Sequence, residues 1–419
     1  MSGDKKLSLV PRLRFPEFQE KNGWEKHPLS EMLEEVLRPV VMKDDEDYSL
    51  VTVKRRYGGI VLRDVLKGRD ILVKSQFRIK KNDFLISKRQ IVHCACGVVP
   101  EEHDDAIVSN EYTILRAKGN CDICFFNYFV QQYIVGRSFL ECSVGIVIEK
   151  MLFKQEQWLK KKFFFPTLPE QQKIADCLSS LDELLTAEVQ KLDALKKYKK
   201  SMLQQLFPRQ GEKVPRLRFP EFEKSEAWVE KELHQLGELI SGLTYSPNDV
   251  GENGLLVLRS SNIQNGRIVL DDNVYVREDI NGANLSLEND ILICVRNGSK
   301  KLIGKNALIP KGMPLCTHGA FMTVFRSDFA KFVIQLFQTD VYEKQVAADL
   351  GATINSINSN HLKKYKFFVP KLQEQEKIAN CLSYIDNLLE AQHDKIKKLK
   401  DHRNGLLQHL FPTDWEVPS

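Results

Sequence analysis

The chain has 419 residues, enough for two to four domains with cores of their own. Apolar residues make up 42% and charged residues 28%, as in ordinary globular proteins, and no apolar run reaches the length of a signal peptide or a membrane span. We therefore expect a cytoplasmic protein whose nine cysteines are reduced. The net charge of +5 is a mild basic bias, compatible with a nucleic-acid partner.

The first recognisable element is an eight-residue segment that occurs twice in the chain. PRLRFPEF stands at residues 11–18 and again at 215–222, an offset of 204, and the same offset relates Trp24 to Trp228. Two prolines in eight residues exclude a helix. Because repeats decide the architecture of a chain, this one indicates that the molecule consists of two related halves.

A second repeated block confirms the offset. Residues 166–208 align with 370–412 without a gap, and 22 of the 43 positions are identical. Between the repeated blocks, roughly at 29–160 and 233–364, the halves match only faintly. The sequence is therefore a tandem duplication in which a fixed frame surrounds a variable insert in each half.

Both variable inserts combine strand and helix patterns. Short β-branched runs bounded by turn residues predict strands at 48–53, 59–62, 70–73, 83–87 and 106–115 in the first insert, and at 255–258, 267–270, 290–295 and 317–325 in the second. Residues 124–135 and 329–350 are predicted to be helical. Each insert is thus expected to be an α+β domain of about 130–140 residues.

Polar residues follow two predicted strands in each insert, in matching places. The candidate DNA contacts are Lys54, Arg55, Arg56, Lys88, Arg89 and Gln90 in the first insert, and Arg259, Ser260, Asn262, Arg296, Asn297, Lys300 and Lys301 in the second. Arginine reads guanine, asparagine and glutamine read adenine, and lysine holds phosphate. Each residue taken singly has the alternative role of an ordinary surface residue, whereas two loops per insert in matching places favour binding.

The second repeated block predicts one long helix per half, near 169–207 and 373–411. Apolar residues recur with a heptad spacing that lapses at the same two places in both copies, Glu188/Gln392 and Lys199/Arg403, and each block ends at Leu-Phe-Pro. A helix of this length with so narrow an apolar stripe needs a partner helix. The copy is the expected partner, in an antiparallel pair; the alternative is two separate helices, each packed on its own domain.

Cysteine and histidine residues in the first insert raise a metal-site question. The residues concerned are His93, Cys94, Cys96, His103, Cys121 and Cys124, whose C-x-C and C-x-x-C spacings are compatible with zinc. The alternative is that these reduced cysteines belong to the core, with Cys94 and Cys96 on one face of a strand. We favour the core alternative and expect no metal.

Catalytic motifs are missing from the sequence. There is no GxxxxGK[ST] phosphate loop, no glycine-rich cofactor loop after a strand, and no (N/D)PP(Y/F) base pocket of an adenine methyltransferase. The carboxylates show no pairing typical of a nuclease. An enzyme is therefore the third hypothesis, after a DNA-reading subunit and a coiled-coil scaffold with two protein-binding domains.

The repeated frame resembles that of the specificity subunit of Type I restriction-modification systems, over essentially the whole chain. The resemblance rests on PRLRFPEF, on LPEQQKIADCLSSLD at 168–182 and LQEQEKIANCLSYID at 372–386, and on the closing Leu-Phe-Pro. In the second insert, 292–299 and the segment Gly351-Ala-Thr-Ile-Asn-Ser356 also resemble the family's recognition domain. The first insert departs from the pattern, because it has Cys142-Ser-Val-Gly145 where that segment is expected.

The resemblance implies an α+β fold: two mixed α/β target-recognition domains separated by two long helices that pack as an antiparallel coiled coil, with a pseudo-two-fold internal repeat. The implied divisions are a first recognition domain at 1–165, the first long helix at 166–208, a second recognition domain at 209–369, the second long helix at 370–412 and a tail at 413–419. Phe15, Phe18 and Trp24 would anchor each half against the coiled coil or a docked partner. The alternative for these aromatics is packing on the core of their own half.

The resemblance also implies a non-catalytic role. Members of the family read a split, asymmetric double-stranded DNA target and dock two modification (methyltransferase) subunits together with restriction (motor and endonuclease) subunits. S-adenosylmethionine, ATP and Mg would be held by those partners, with no cofactor and no structural zinc on this chain. DNA affinity that falls steeply with salt would separate this function from that of a protein-binding scaffold.

Overall fold

The computed structural model describes residues 9–350 and 355–412. The chain forms two compact units: unit 1 comprises Met1–Glu188 and Lys395–Ser419, and unit 2 comprises Val189–Asp394. Within the described ranges no helix combines the length and apolar character that a bilayer crossing demands. Each unit contains one insert and a part of each long helix.

Unit 1 carries short strands and helices around one pair of four-stranded sheets. Its strands are β1 (Glu25–Pro28), β2 (Leu33–Glu35), β3 (Asp47–Val53), β4 (Ile60–Lys67), β5 (Gln76–Arg78), β6 (Phe84–Ser87), β7 (Cys96–Val98), β8 (Ile107–Ser109), β9 (Tyr112–Ala117), β10 (Ser143–Val144), β11 (Leu152–Phe153) and β12 (Lys162–Phe165). Its helices are α1 (Leu29–Met32), α2 (Ile123–Phe129), α3 (Tyr133–Glu141), α4 (Gln155–Leu159) and the first part of α5 (Leu168–Leu206).

The two sheets of unit 1 have the orders β2-β9-β6-β7 and β4-β3-β8-β5. Strand β3 runs parallel to β8, and the other pairs in these sheets are antiparallel. All four residues of β6 are buried, as expected for the unbroken apolar run Phe-Leu-Ile in a central strand. Aromatic rings of α2, α3 and β12 pack beside this sheet and form the largest core of the unit.

Unit 2 repeats this plan with its own strands. They are β13 (Val229–Glu232), β14 (Glu238–Ser241), β15 (Val250–Gly251), β16 (Leu255–Leu258), β17 (Ile263–Gln264), β18 (Arg267–Ile268), β19 (Val274–Val276), β20 (Ile291–Cys294), β21 (Asn306–Leu308), β22 (Cys316–His318), β23 (Met322–Arg326) and β24 (Lys366–Val369). Its helices are α6 (Ala330–Leu336), α7 (Asp340–Asp349), α8 (Ser359–Leu362) and most of α9 (Leu372–His409).

One sheet of unit 2 corresponds strand by strand to a sheet of unit 1, and the other corresponds in part. The orders in unit 2 are β14-β23-β20-β21 and β15-β19-β16-β22, and β16 runs parallel to β22 as β3 does to β8. In the second sheet β16, β22 and β19 match β3, β8 and β4, whereas β15 has no counterpart in the described sheet of unit 1 and the place of β5 holds only the isolated bridge Ser286–Cys316. Outside the sheets, β13 pairs with β24 in the register that β1 and β12 have in unit 1. The α+β prediction for both inserts is therefore confirmed.

Five local predictions are wrong. Residues 106–115 and 317–325, each expected to be one strand, are two strands each, β8 with β9 and β22 with β23. The expected strand at 70–73 is an irregular segment after the turn Gly68–Asp70, where Ile71 packs into a small apolar cluster without pairing as a strand. The single helices expected at 124–135 and 329–350 are each two helices, α2 with α3 and α6 with α7. Apolar periodicity continues across both interruptions because the paired helices face the same core, so it does not reveal where the backbone turns.

The long helices are present at the predicted places and are antiparallel within each unit. In unit 1, Asp182 of α5 pairs with Arg403 of α9, and Glu188 pairs with Lys395 at 2.5 Å. The residue number increases along α5 while that of its partner decreases along α9, so the two helices run antiparallel. In unit 2, Lys199 of α5 pairs with Asp386 of α9. The predicted antiparallel pair is thereby confirmed, and the alternative of two separate helices, each packed only on its own domain, is wrong.

Heptad lapses are the sites of these ion pairs. Lys199 and Arg403 occupy equivalent positions, and their partners Asp386 and Asp182 do too, so the same contact is built twice. Glu188 and Lys199 are each only 8% exposed. Burial lowers the pKa of Lys199, against the opposing effect of Asp386. A polar pair in an apolar seam fixes the register of two helices, which an uninterrupted stripe of leucine would leave less defined.

The repeated PRLRFPEF segment owes its role to its second arginine. Arg14 donates from Nε and Nη2 to the two carboxylate oxygens of Glu170, both at 2.8 Å, and Arg218 binds Glu374 in the same way at 2.8 and 2.6 Å. All four side chains are nearly buried. The segment therefore clamps the start of each long helix to its unit, and a bidentate pair of this kind fixes orientation as well as position.

The aromatic residues of the frame pack on their own unit. Trp24 is fully buried and meets Phe125 of α2 and Phe411 beyond the end of α9, at ring centroid distances of 6.0 and 5.9 Å. Phe18 is buried as well, and Phe15 packs at the edge of the same core. Trp24 and Phe15 therefore pack within the core of their own unit, and both also contact α5, through Glu170 and Lys173.

Candidate nucleic-acid interface

The two candidate loops of unit 1 are joined to each other. Arg55, in the loop between β3 and β4, donates from Nε to Oε1 of Gln90, in the loop after β6, at 2.8 Å. Backbone hydrogen bonds from Arg56 to His93 and from Tyr57 to Cys94, at 2.8 and 2.9 Å, hold the first loop against the second. The structure thus brings two segments 35 residues apart into one surface.

The β3–β4 loop has a constrained backbone. Arg56 and Tyr57 both have positive φ angles, 57° and 55°, which non-glycine residues adopt rarely. The Tyr57 hydroxyl donates to the carbonyl of Val130, and burial raises the pKa of this phenol. Anchoring the tyrosine while Lys54, Arg55 and Arg56 stay exposed gives the loop a fixed base and a cationic outer side.

The loop after β6 holds its charges against a neighbouring turn. Lys88 donates to the carbonyl of Asn110 at 2.8 Å, and Arg89 forms an ion pair with Glu111 at 2.6 Å. The Glu111 carboxylate raises the pKa of Arg89 through this hydrogen bond. Arg89 and Glu111 are 55% and 46% exposed, so the pair is open to solvent.

The candidate loops of unit 2 are joined in the same manner by different residues. Asn297 donates from Nδ2 to the hydroxyl of Ser260 at 3.0 Å. Arg296 is exposed, and its guanidinium lies 5.7 Å from the ring centroid of Phe321. Lys300 and Lys301 are exposed on the turn Lys300–Leu302 that follows. Both units therefore present one composite surface built from the loop after the parallel strand and the loop after the central strand.

Asn262 does not belong to that surface. It is fully buried, its Oδ1 accepts the backbone N–H of Arg259 at 2.9 Å, and its Nδ2 donates to the carbonyl of Val269 at 3.0 Å. A side chain whose amide is used in this way shapes the turn and cannot reach a base edge. We therefore revise its assignment from DNA contact to loop support. Arg259 is only a third exposed and pairs with Asp272 at 2.8 Å.

Strand register makes Arg89 and Arg296 equivalent. Ser87 pairs with Tyr112 between β6 and β9, and Cys294 pairs with Met322 between β20 and β23. Each arginine stands two residues beyond the paired residue of the central strand. The predicted equivalence of the two arginines is therefore confirmed by their backbone positions, whereas their contact with DNA stays a prediction.

Sequence reasoning missed the turn that faces each arginine and a hairpin beside it. Glu111 and Phe321 occupy that turn, and neither lies in an unusual sequence pattern. Ile146 and Ile148, in the β10–β11 hairpin, are exposed aliphatic residues, and Phe153 ties the hairpin to Lys88 through a backbone hydrogen bond at 3.1 Å. An apolar run indicates burial by default, so the sequence alone gives no sign that these side chains are exposed.

The segment that resembles the family in the second insert is described in part. Gly351-Ala-Thr-Ile354 lies outside the described residues. Asn355 and Ser356 lie beside the candidate loop: the backbone N–H of Asn297 donates to the Asn355 carbonyl at 3.4 Å, and Ser356 forms a β-bridge with Arg296. The corresponding place in unit 1 is taken by the aliphatic hairpin.

The cysteine cluster is partly core. Cys96 is buried in β7, whereas Cys94 has φ of 57° at the end of the turn Ile91–His93, so the two do not share a strand face as expected. Burial raises the pKa of Cys96, and it raises that of Cys121 to about 12, which disfavours the thiolate that zinc requires. In residues 9–350 and 355–412 no three His, Cys, Asp or Glu side chains are grouped to hold a metal.

A family model matches both halves of the chain. Residues 22–197 and 225–401 each match the model described as Type I restriction modification DNA specificity domain. The chain belongs to this family. The two specificity-domain matches include both inserts, the candidate loops of both units and the greater part of both long helices.

Curated relatives of the specificity-domain family match this chain over part of their length. It is 31% identical to the Type I restriction enzyme EcoKI specificity subunit of Escherichia coli over an alignment of 197 residues that covers 43% of this chain and 42% of that protein. It is 29% identical to the StySPI specificity subunit of Salmonella potsdam over an alignment of 182 residues that covers 41% of this chain and 38% of the relative. The chain therefore matches less than half the length of these two relatives.

Solved structures of this family share the fold over nearly the whole chain. The S subunit of a Type I restriction-modification system from M. genitalium superposes with a TM-score of 0.61 at 16% identity, covering 98% of this chain and all of the other. A structure concerned with complex assembly and conformational transition of the type I R-M system gives 0.52 at 17% identity, with 96% and 100% coverage. At these identities the similarity shows the fold.

Proposed function

We propose that this chain is the DNA sequence-specificity subunit of a Type I restriction-modification enzyme and that it reads a split, asymmetric target, one half-site per insert. The observation that carries the proposal is the paired surface: in each unit, two polar loops converge beside an exposed arginine at the end of the central strand. Guanidinium and amide groups held on a rigid sheet are the groups that read base edges in the major groove.

The sequence difference between the two surfaces supports an asymmetric target. Unit 1 joins its loops through Arg55 and Gln90, whereas unit 2 uses Ser260 and Asn297. Donors and acceptors therefore differ at matching places. Two readers with different side chains on the same scaffold recognise different base pairs, so the half-sites should not form a palindrome.

The proposal extends to partners and cofactors. The chain would dock two modification subunits and restriction subunits, which hold S-adenosylmethionine, ATP and Mg, and would itself be non-catalytic and cytoplasmic. The support is family membership, together with the similarity to the specificity subunit of a restriction enzyme from Escherichia coli.

The decisive experiment is to express the chain with its modification partners and map methylated adenines in the host genome. We expect a motif of two unequal half-sites around an unread gap. Exchange of residues 233–364 for the corresponding insert of another family member should change one half-site and leave the other intact. A continuous motif, or two identical half-sites, would contradict the proposal.

Two controls separate this function from its alternatives. The chain purified alone should transfer no methyl group from S-adenosylmethionine, because the activity belongs to the partners. DNA affinity of the assembled complex should fall steeply as salt rises, through counterion release. A protein-binding scaffold would show neither a methylation motif nor a steep dependence of DNA affinity on salt.

A further inference from the structure

One backbone position carries a different kind of side chain in each unit although its backbone hydrogen bond is the same. Glu111 immediately precedes β9 and Phe321 immediately precedes β23. The backbone N–H of Lys88 donates to the Glu111 carbonyl at 2.9 Å, and that of Val295 donates to the Phe321 carbonyl at 3.0 Å. Each of these donors is the residue before the equivalent arginine, so both side chains are presented to that arginine from the same place.

In unit 1 this position carries a carboxylate. Glu111 accepts from Nε of Arg89 at 2.6 Å and from Nη2 at 3.4 Å. Both side chains are about half exposed, and exposed ion pairs contribute little to stability. A contribution to the stability of the fold therefore does not explain the contact between Arg89 and Glu111. Arginine has five N–H donors, and this pair leaves those on Nη1 for a further acceptor.

In unit 2 the same position carries an exposed ring. Phe321 is 58% exposed, although phenylalanine is among the side chains most often buried. Its ring lies beside the guanidinium of Arg296, which also faces solvent. A large apolar side chain held in the open beside a base-reading cation is suited to an apolar group on the DNA itself.

The major groove offers one target for each side chain. Guanine presents O6 and N7 as acceptors, and the cytosine paired with it presents the N4 amino group as donor, which a carboxylate accepts. Thymine presents a 5-methyl group, which apolar side chains contact. We propose that Glu111 and Phe321 are specificity-determining residues. Glu111 accepts a hydrogen bond from the amino group of a cytosine beside the guanine that Arg89 contacts. Phe321 contacts the methyl group of a thymine beside the base that Arg296 contacts.

This inference rests on the proposed function and specifies which groups of the DNA bases the candidate loops of each unit contact. It predicts that a G·C pair belongs to the half-site of unit 1 and that a thymine belongs to the half-site of unit 2. Exchange of the insert at 233–364 identifies which half-site belongs to which unit.

The test for unit 1 removes one amino group at a time. The complex assembled with its modification partners is bound to duplexes in which each cytosine of the half-site is replaced in turn by pyrimidin-2-one, which lacks the amino group. The unmodified chain should lose roughly fivefold or more in affinity at one position. Glu111→Ala should lose this sensitivity, and Glu111→Gln should keep part of it because the amide oxygen still accepts. Glu102→Gln, an exposed acidic residue outside the loops, is the matched control.

The test for unit 2 removes one methyl group at a time, by replacing each thymine of the half-site with uracil. The unmodified chain should bind one substituted duplex several-fold more weakly, Phe321→Ala should not distinguish the two bases, and Phe321→Leu should keep part of the preference. Tyr384→Ala, an exposed aromatic residue on α9, serves as control. Because Phe321 is exposed, its replacement should leave thermal unfolding unchanged.

The outcomes separate the inference from the function beneath it. If the assembled complex prefers no sequence at all, the proposed function fails. If it reads a split target but Glu111→Ala raises its affinity for every duplex alike, the carboxylate only neutralises Arg89 and the inference for unit 1 is overturned. Equal responses of the unmodified chain and Phe321→Ala to uracil would overturn the inference for unit 2.

Discussion

The two units share the buried contacts and strand pairs that determine the backbone, and they differ in the side chains exposed on the candidate loops. Arg14–Glu170 and Arg218–Glu374 reproduce one buried clamp, and the strand pairs beside the clamps share one register. On the candidate surfaces the same backbone positions carry a carboxylate in one unit and a phenyl ring in the other. A scaffold of this kind keeps the place of a contact constant while its chemistry changes, which suits two readers of different sequences.

Breaking the buried clamp should have the largest effect. Glu170→Ala leaves the guanidinium of Arg14 buried without its partner, and loss of one member of a buried pair costs about 3–5 kcal/mol. Glu374→Ala should cost less within that range, because Glu170 also accepts from Trp24 at 3.4 Å, whereas Nε1 of Trp228 finds no acceptor among the described residues. Urea unfolding, with hydrogen exchange to assign the loss to a unit, measures both.

The control for the clamp lies in the same segments. Glu17 and Glu221 form exposed ion pairs with Lys173 and Lys377, so their replacement by alanine should change stability little. Equal losses for clamp and control variants would show that the buried pair does not hold the helix to its unit.

The polar pairs in the helix seam should rank next. Lys199 is 10% exposed at its side chain, and Arg403 is 22% exposed. Asp386→Ala should therefore destabilise unit 2 by about 2–3 kcal/mol, and Asp182→Ala should destabilise unit 1 by about 1–2 kcal/mol, because the arginine left behind is better solvated. The same unfolding measurements apply. A larger loss in unit 1 would contradict this ranking.

Much of this architecture is visible in the sequence because it is periodic or repeated. The heptad pattern predicts the bounds of both long helices to within two residues. The duplicated clamp arginines, Arg14 and Arg218, lie in identical eight-residue segments. The helix partner is also predictable, since a narrow apolar stripe must be covered and the chain offers one equal stripe.

The failures have physical causes that act over long range. The sequence predicts Asn262 as a contact because asparagine reads adenine, yet its amide oxygen and nitrogen both form hydrogen bonds within the turn. The sequence does not show which amide side chains are buried in this way. The partners of Arg89 and Arg296 come from turns 22 and 25 residues further along, so only strand register brings them together. Cys94 leaves the strand because a left-handed backbone precedes β7.

Replacing the equivalent arginines should sharpen the comparison of the two surfaces. Arg296→Ala should relax discrimination in the half-site of unit 2 alone, and Arg89→Ala in that of unit 1 alone, each by roughly 5- to 150-fold at one base pair. Competition binding against all single base-pair variants of the target measures this. Lys301→Ala should instead weaken binding to all sequences and lower the salt slope by about 1, as expected of a phosphate contact. Relaxation of both half-sites by one substitution would contradict the assignment of one half-site per unit.

The smallest expected difference between the units is in how their stability depends on pH, because unit 2 contains the buried histidine His318. His318 of β22 accepts from the Ser286 hydroxyl at Nδ1, at 2.9 Å, and donates from Nε2 to the Ile240 carbonyl at 3.0 Å, so the neutral ring satisfies both neighbours. Burial lowers the pKa of His318 below its ordinary value of 6.5. Below pH 6.5 the unfolded chain therefore binds a proton that the folded chain does not.

Stability from His318 is present above pH 6.5 and is lost as pH falls, by at most about 1.4 kcal/mol per pH unit. The last residue of β8, the strand of unit 1 equivalent to β22, is the non-titrating Ser109. We therefore expect hydrogen exchange to show unit 2 losing protection between pH 6.5 and 5 more than unit 1, and His318→Gln to reduce that difference. Loss of protection that is the same in both units, or unchanged in the variant, would assign the acid sensitivity to other groups.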